Sequence, residues 1–256
     1  MLKIDVTESF QHLENAPIVE AVIEIRTRVE SPWEESALRE QLKAKLPGYP
    51  KIFSQSEFRH ELKVKAGQPP EQLFHDLGWR GLRLESADGR YIAQFNRDGF
   101  AFSRLQPYES WDHFKEEAMR LWKMHEDLAK SLEIQRLGVR FINRITLPGG
   151  EVRLEDYLQV PPQPPEGLDL QIMNFFHKDN LSVTGHPYEV NIVKTIQPPQ
   201  RPGSDGGGLI LDIDVSTTEP FEQRADAINK RLAEMRWLKN KVFYNSLTKG
   251  ALEGLK

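Results

Sequence analysis

The chain contains no cysteine. That absence excludes disulfides, thiolate metal sites and a cysteine nucleophile, and it fits a reducing compartment. A run of about 20 apolar residues, the length needed to cross a bilayer, is also missing. The opening stretch MLKIDVTESFQHLENAP carries acidic residues and no apolar core of signal-peptide length. A cytoplasmic protein with no membrane partner is therefore expected. The seven histidines form no HxH or HExxH, and GxSxG, GxxxxGK[ST] and GxGxxG are all absent. Gly206-Gly207-Gly208 precedes an apolar stretch, whereas a phosphate loop follows a strand and opens a helix. No cofactor is expected. Nor does one sign of charge dominate: 34 Lys and Arg against 38 Asp and Glu leave a net charge of −4. Binding to nucleic acid then needs a local basic face.

What is present is strong periodicity. In APIVEAVIEIRTRV, Ala21, Ile23, Ile25 and Val29 share one strand face, and Glu24, Arg26 and Arg28 share the other. SPWEESALREQLKAKLPG reads as a helix with Ser31 as N-cap, Pro32 in the first turn, Glu34 completing a capping box and Pro47-Gly48 as the stop. IFSQSEFRHELKVK reads as a long strand. A looser segment, PPEQLFHDLGW, leads to a meander of GLRLES, YIAQFN and FAFSRL, whose two turns both carry Asp-Gly. A long helix follows from its cap Ser110, with Trp111, Phe114, Ala118, Leu121, Trp122, His125 and Leu128 on one stripe.

The order then begins again. RLGVRFINRI is a strand and VRLEDYL a short helix. LQIMNFF and LSVTG flank an HKDN turn, and YEVNIVKTI and LILDIDV are joined by PPQRPGSDGGG. The last helix starts near Thr217 or Thr218 and buries Phe221, Ala225, Ile228, Leu232, Met235, Leu238 and Val242, with Trp237 off that stripe and free to meet a partner. The fold class expected is α+β. After a lead-in over 1–17, two similar halves (18–132 and 133–256) each run strand, helix, four antiparallel strands, long helix, with the helices on one side of curved sheets. This is the element order of the TATA-binding-protein fold, a likeness of topology that carries no function.

Four stretches, NAPIVEAVIEIR, PYESWDHF, RLGVRFINRI and KVFYNSLT, resemble an uncharacterised, sporadically distributed bacterial protein family of about this length. The likeness spans essentially the whole chain. It implies no established activity and no catalytic residues; the sporadic distribution implies an accessory or defence-type role.

Two candidate sites follow from the strands. Arg136, Arg140 and Arg144 share a face, with consecutive members about 13 Å apart, and Arg26 and Arg28 hold the matching place in the first half. Such rows suit the phosphates of an extended anion. They equally suit cross-strand ion pairs with Asp212 and Asp214, which share a face of LILDIDV. The functional expectation is a non-enzymatic binding or interaction module that uses the sheet surface, with a protein or nucleic-acid partner. The alternative is a metal-dependent phosphoester or nucleotide enzyme with Asp212 and Asp214 as ligands.

Overall fold

The computed structural model describes residues 2–28, 33–65, 67, 69, 71–129, 133–150, 152–168, 170–198 and 206–256. The first half runs β1 (Ile18–Arg28), α1 (Glu35–Lys45), β2 (Lys51–Lys63), β3 (Glu71–Glu85), β4 (Tyr91–Asn96), β5 (Gly99–Leu105) and α2 (Trp111–Ala129). The second runs β6 (Glu133–Thr146), a 3-10 turn at Leu154–Asp156, β7 (Phe176–Ser182), β8 (Glu189–Gln197), β9 (Gly208–Thr217), α3 (Ala225–Ser246) and a short α4 (Lys249–Glu253). All nine strands form one antiparallel sheet in the order β2-β3-β4-β5-β1-β6-β9-β8-β7. The first strand of each half lies beside the last strand of the same half, and the two first strands, β1 and β6, pair at the centre.

Strict alternation along these strands sorts residues onto two faces. Ala21, Ile23, Ile25, Leu137, Val139, Leu211, Ile213 and Val215 are fully buried. They lie under the helices: α1 packs on β3, α2 on β5, and α3 on β6 and β9. Both Asp-Gly turns form, with Gly89 and Gly99 at positive φ, the conformation that a side chain disfavours. Ser110 caps α2 as expected, its Oγ accepting from the His113 amide at 3.3 Å.

Several elements differ from expectation. The second half has three strands after β6 instead of four. HKDN lies inside β7, and LQIMNFF contributes only Phe176 to a strand. The turn comes later, at Gly185 with φ +83°. The polar run at His177–Asn180 instead reflects an exposed edge strand, where His177 pairs with Asp179 at 2.9 Å. VRLEDYL shrinks to its 3-10 turn. Helix α1 begins at Glu35, with Glu34 making no side-chain cap, and Trp33 precedes it; Val29, Ser31 and Pro32 lie outside the described residues, as does 199–205 of the PPQRPGSDGGG connector. Helix α3 starts at Ala225 because Thr217 still belongs to β9, and a proline at 220 disfavours helical backbone at Glu219. Segment 2–17 is no loose lead-in. Phe10 stacks on Tyr244 at 5.4 Å, and Glu8 accepts from Trp237 Nε1 at 2.8 Å and from Lys241 at 2.6 Å. Trp237 is therefore buried at 4% exposure rather than free.

The core under α2 holds a histidine. His125 has no exposed surface and lies between Trp122, stacked at 5.3 Å, and the edge of Trp33 at 5.0 Å, with Nε2 donating to the Asn96 carbonyl at 3.1 Å. Burial pushes its pKa down to about 4. Because the folded value is the lower one, unfolding takes up a proton below pH 6.5, and stability is lost progressively as pH falls to about 4. The full effect is roughly 3 kcal/mol. Urea unfolding of His125→Gln at pH 7 and at pH 4 should show a markedly smaller loss between the two pH values than the parent chain.

Candidate functional site

The face of the sheet away from the helices carries the arginines read from the sequence. On β6, Gly138 lies opposite Glu24 of β1, and Arg140 lies opposite Asp214 of β9. The Arg136 side chain folds back over Gly138, where any Cβ would collide with its guanidinium. From there it bonds Glu24 on one side and Asp214 on the other, the latter at 2.8 Å. Arg140 grips Asp212 with two bonds, 2.9 and 2.5 Å. Asp212 holds the Arg140 guanidinium more firmly charged, and burial lifts the Asp214 carboxyl above its ordinary range against the pull of Arg136. Arg26 lies opposite Arg136 and pairs with Glu24 at 3.1 Å.

The two remaining arginines stand apart from this cluster. Arg144 lies across Gly208, its Nε buried without a hydrogen-bond partner, and Arg28 is exposed with no ion pair among the described residues. A shallow cavity of 390 Å³ over the patch is lined by Glu20, Glu24 and Asp214 as well as by Arg26, Arg80, Arg136 and Arg140. The face is charge-compensated. Asp212 and Asp214 are both engaged by arginines, and among the described residues no group of three His, Asp or Glu is placed to hold a metal ion.

A larger cavity, 1060 Å³, lies on the helix side between segment 6–19, the start of α2, β6 and α3. Parts of all four stretches that carry the sequence resemblance line it: Asn15–Val19, Pro107–Asp112, Phe141 with Asn143 and Arg144, and Phe243 with Tyr244. Its walls are aromatic. Tyr108 meets Phe141 edge-on at 5.6 Å, and Trp111 lies 6.3 Å from the same ring. Into this wall α3 places Lys239, 9% exposed, with Nζ 4.0 Å from the Phe141 centroid. No carboxylate and no hydrogen-bond acceptor meets that amine among the described residues. Burial, assisted by the nearby Arg236 charge, lowers its pKa to about 7. Arg236 is exposed, lies over Trp111 at 5.6 Å and likewise has no acidic partner there. Asp112 and Glu14 reach the cavity from exposed positions, while Glu8 and Glu109 are tied to Lys241 and Arg104.

Lys239 was not among the sequence candidates, yet one signal for it exists. It follows Met235 by four residues, so it continues the buried stripe of α3 with a cation where an apolar residue belongs.

The open face yields a ranking of variants. Arg136→Ala strands Asp214, only 24% exposed, and leaves Glu24, 27% exposed, with Arg26 alone, and should cost about 2 kcal/mol of unfolding free energy. Arg140→Ala strands one carboxylate, Asp212 at 12% exposed, but removes an arginine that is itself 49% exposed, and should cost about 1 kcal/mol. Urea denaturation of the two variants measures the order directly.

Comparison with family models, with curated proteins and with solved structures finds no match for this chain, so its function is argued from the two sites themselves.

Proposed function

We propose that the protein is a non-enzymatic binding module whose ligand is a small aromatic or flat apolar molecule bearing one carboxylate or phosphate, held in the cavity between segment 6–19 and α3. One observation carries this reading. Lys239, 9% exposed, faces a cavity and among the described residues has neither an anion nor an acceptor to balance its amine. Lysine is almost never fully buried without a partner, because the charged form loses its hydration. A bound anion supplies that partner. The rings of Tyr108, Trp111 and Phe141 supply flat apolar surface for the body of the ligand, and Arg236 at the rim adds a second cation.

The open face is the weaker candidate. Arg26, Arg136 and Arg140 are already matched by Glu24, Asp212 and Asp214, so a nucleic acid at that cluster would first have to break those pairs, and Arg28 and Arg144 stand apart from it. We also infer that the chain is built from two halves of one plan. The order β2-β3-β4-β5-β1 is mirrored by β7-β8-β9-β6 with one strand fewer, which supports a relation to the saddle topology of the TATA-binding-protein fold.

Thermal melts with benzoate, indole-3-acetate and inorganic phosphate test the ligand site. At least one of the carboxylates should raise Tm, a native-state stabilisation of about 2.7 kcal/mol at one hundred times Kd. Binding should tighten as pH falls from 9 to 6, because the anion is bound best when Lys239, with a pKa of about 7, carries its proton. Lys239→Met should abolish the shift. It should also flatten the rise in stability that the native chain shows between about pH 7 and its unfolded value of 10.5. No Tm shift with any of the three probes, or an equal shift in Lys239→Met, sinks the reading.

A further inference from the structure

We propose that β2 pairs with β2 of a second copy of this chain, antiparallel about a two-fold axis at His60, joining two sheets edge to edge. β2 is the last strand of the sheet, so one side of its backbone has no partner strand. β3 pairs with β4 only from Gly81 to Glu85, and from Ser56 outward β2 and β3 form a two-stranded ribbon with no third strand. Phe58, Leu62 and Phe74 on that ribbon are 65%, 54% and 71% exposed. An isolated two-stranded ribbon is marginal in water and gains from a further strand.

The sequence of the edge selects the occupant. Both irregularities of the β2–β3 ladder put the extra residue on β3, at Arg80 and Leu77, so β2 keeps a regular alternation. Phe58, His60 and Leu62 therefore share one face, and Glu57, Arg59, Glu61 and Lys63 share the other. Charges on an edge strand commonly repel a second strand. Of the residue-centred axes from Glu57 to Glu61, only those at Phe58 and His60 set no like charges opposite one another, and the Phe58 axis forms a single kind of ion pair, Glu57 with Arg59. With His60 opposite His60 of the second copy, Arg59 meets Glu61, Glu57 meets Lys63 and Phe58 meets Leu62, each twice by symmetry.

An axis at Arg59 sets Arg59 against itself and Glu57 against Glu61, one at Glu61 sets Glu61 against itself and Arg59 against Lys63, and an axis between residues sets apolar against charged side chains. The competing contacts within the chain are weak. Glu61 lies 3.9 Å from Lys63 and 3.7 Å from His75, all about half exposed, and Arg59 has no ion pair among the described residues. The seam is short, so the affinity belongs in the micromolar range.

Sedimentation velocity through the micromolar range should show the 29.6 kDa chain passing to twice that mass. Arg59→Glu should weaken the dimer at least tenfold, and Arg59→Glu with Glu61→Arg, which restores opposite charges across the axis, should recover it. The native chain has no cysteine, so a single introduced thiol reports its own neighbour. His60→Cys should form an intermolecular disulfide under mild oxidation. Ser56→Cys, whose copy then lies about 27 Å away, should not. All these positions are exposed, and circular dichroism checks that the variants stay folded. A chain that remains monomeric, a dimer indifferent to Arg59→Glu, a double variant that fails to recover, or cross-linking at Ser56→Cys in preference to His60→Cys overturns the proposal.

Discussion

Where β1 lies against β6, Ile23 faces Val139, Ala21 faces Phe141 and Glu24 faces Gly138. That register fixes much of the rest. It joins the two halves into one sheet and turns both apolar sets toward the same helices, so that a slip of one residue would send Ile23 and Val139 to opposite faces. It also sets the missing side chain of Gly138 where Arg136 must pass to reach Glu24 and Asp214. At its far end the Arg144 amide donates to the Pro17 carbonyl at 2.7 Å, which delivers segment 6–19 to the mouth of the helix-side cavity. Open face and cavity are consequences of one pairing.

The open face shows how a sheet can leave one side without helices and still be well ordered. Its central side chains are half-buried by their own neighbours, so an uncompensated charge there loses hydration without gaining an attractor. The structure answers with alternating signs on adjacent strands: Glu24 on β1, Arg136 and Arg140 on β6, Asp212 and Asp214 on β9. Glu24 and Asp214 share the single guanidinium of Arg136, which confers geometric specificity as much as energy. A row of like charges read from one strand is thus an incomplete observation. Its meaning depends on which strand the topology sets beside it, and the return of each half's last strand to its first supplies the acidic partners.

Much of the fold was legible because half-buried strands and amphipathic helices write their environment into the sequence as period two and period 3.6. Ile23, Val139, Phe100 and Trp122 all fall on the face their spacing implies. The misreadings cluster where environment and local chemistry part. His177–Asn180 looked like a turn because an edge strand is exposed and tolerates turn residues. Trp237 looked exposed because the surface that covers it is the 2–17 segment, which has no periodicity of its own and docks through single contacts such as Glu8 and Phe10. Lys239 was passed over for the opposite reason, since charged residues on a long helix are ordinarily its solvent side.

Lys239 is also where energetics and function separate most clearly. A residue chosen for packing alone at that position would be Met or Leu, which fill similar volume without an amine to desolvate. The ring of Phe141 offsets part of that cost through its negative face, but a cation–π contact is worth about 2 kcal/mol when desolvated, less than burial of an isolated ammonium removes. The balance is struck by loss of the proton near pH 7. An amine held close to half-protonation beside a cavity suits an anion: a carboxylate that enters would restore the charged form and gain its Coulomb energy. On the open face the equivalent gain is already taken where Arg136 and Arg140 meet Asp214 and Asp212, so an anion would change the energy more in the helix-side cavity than at those pairs.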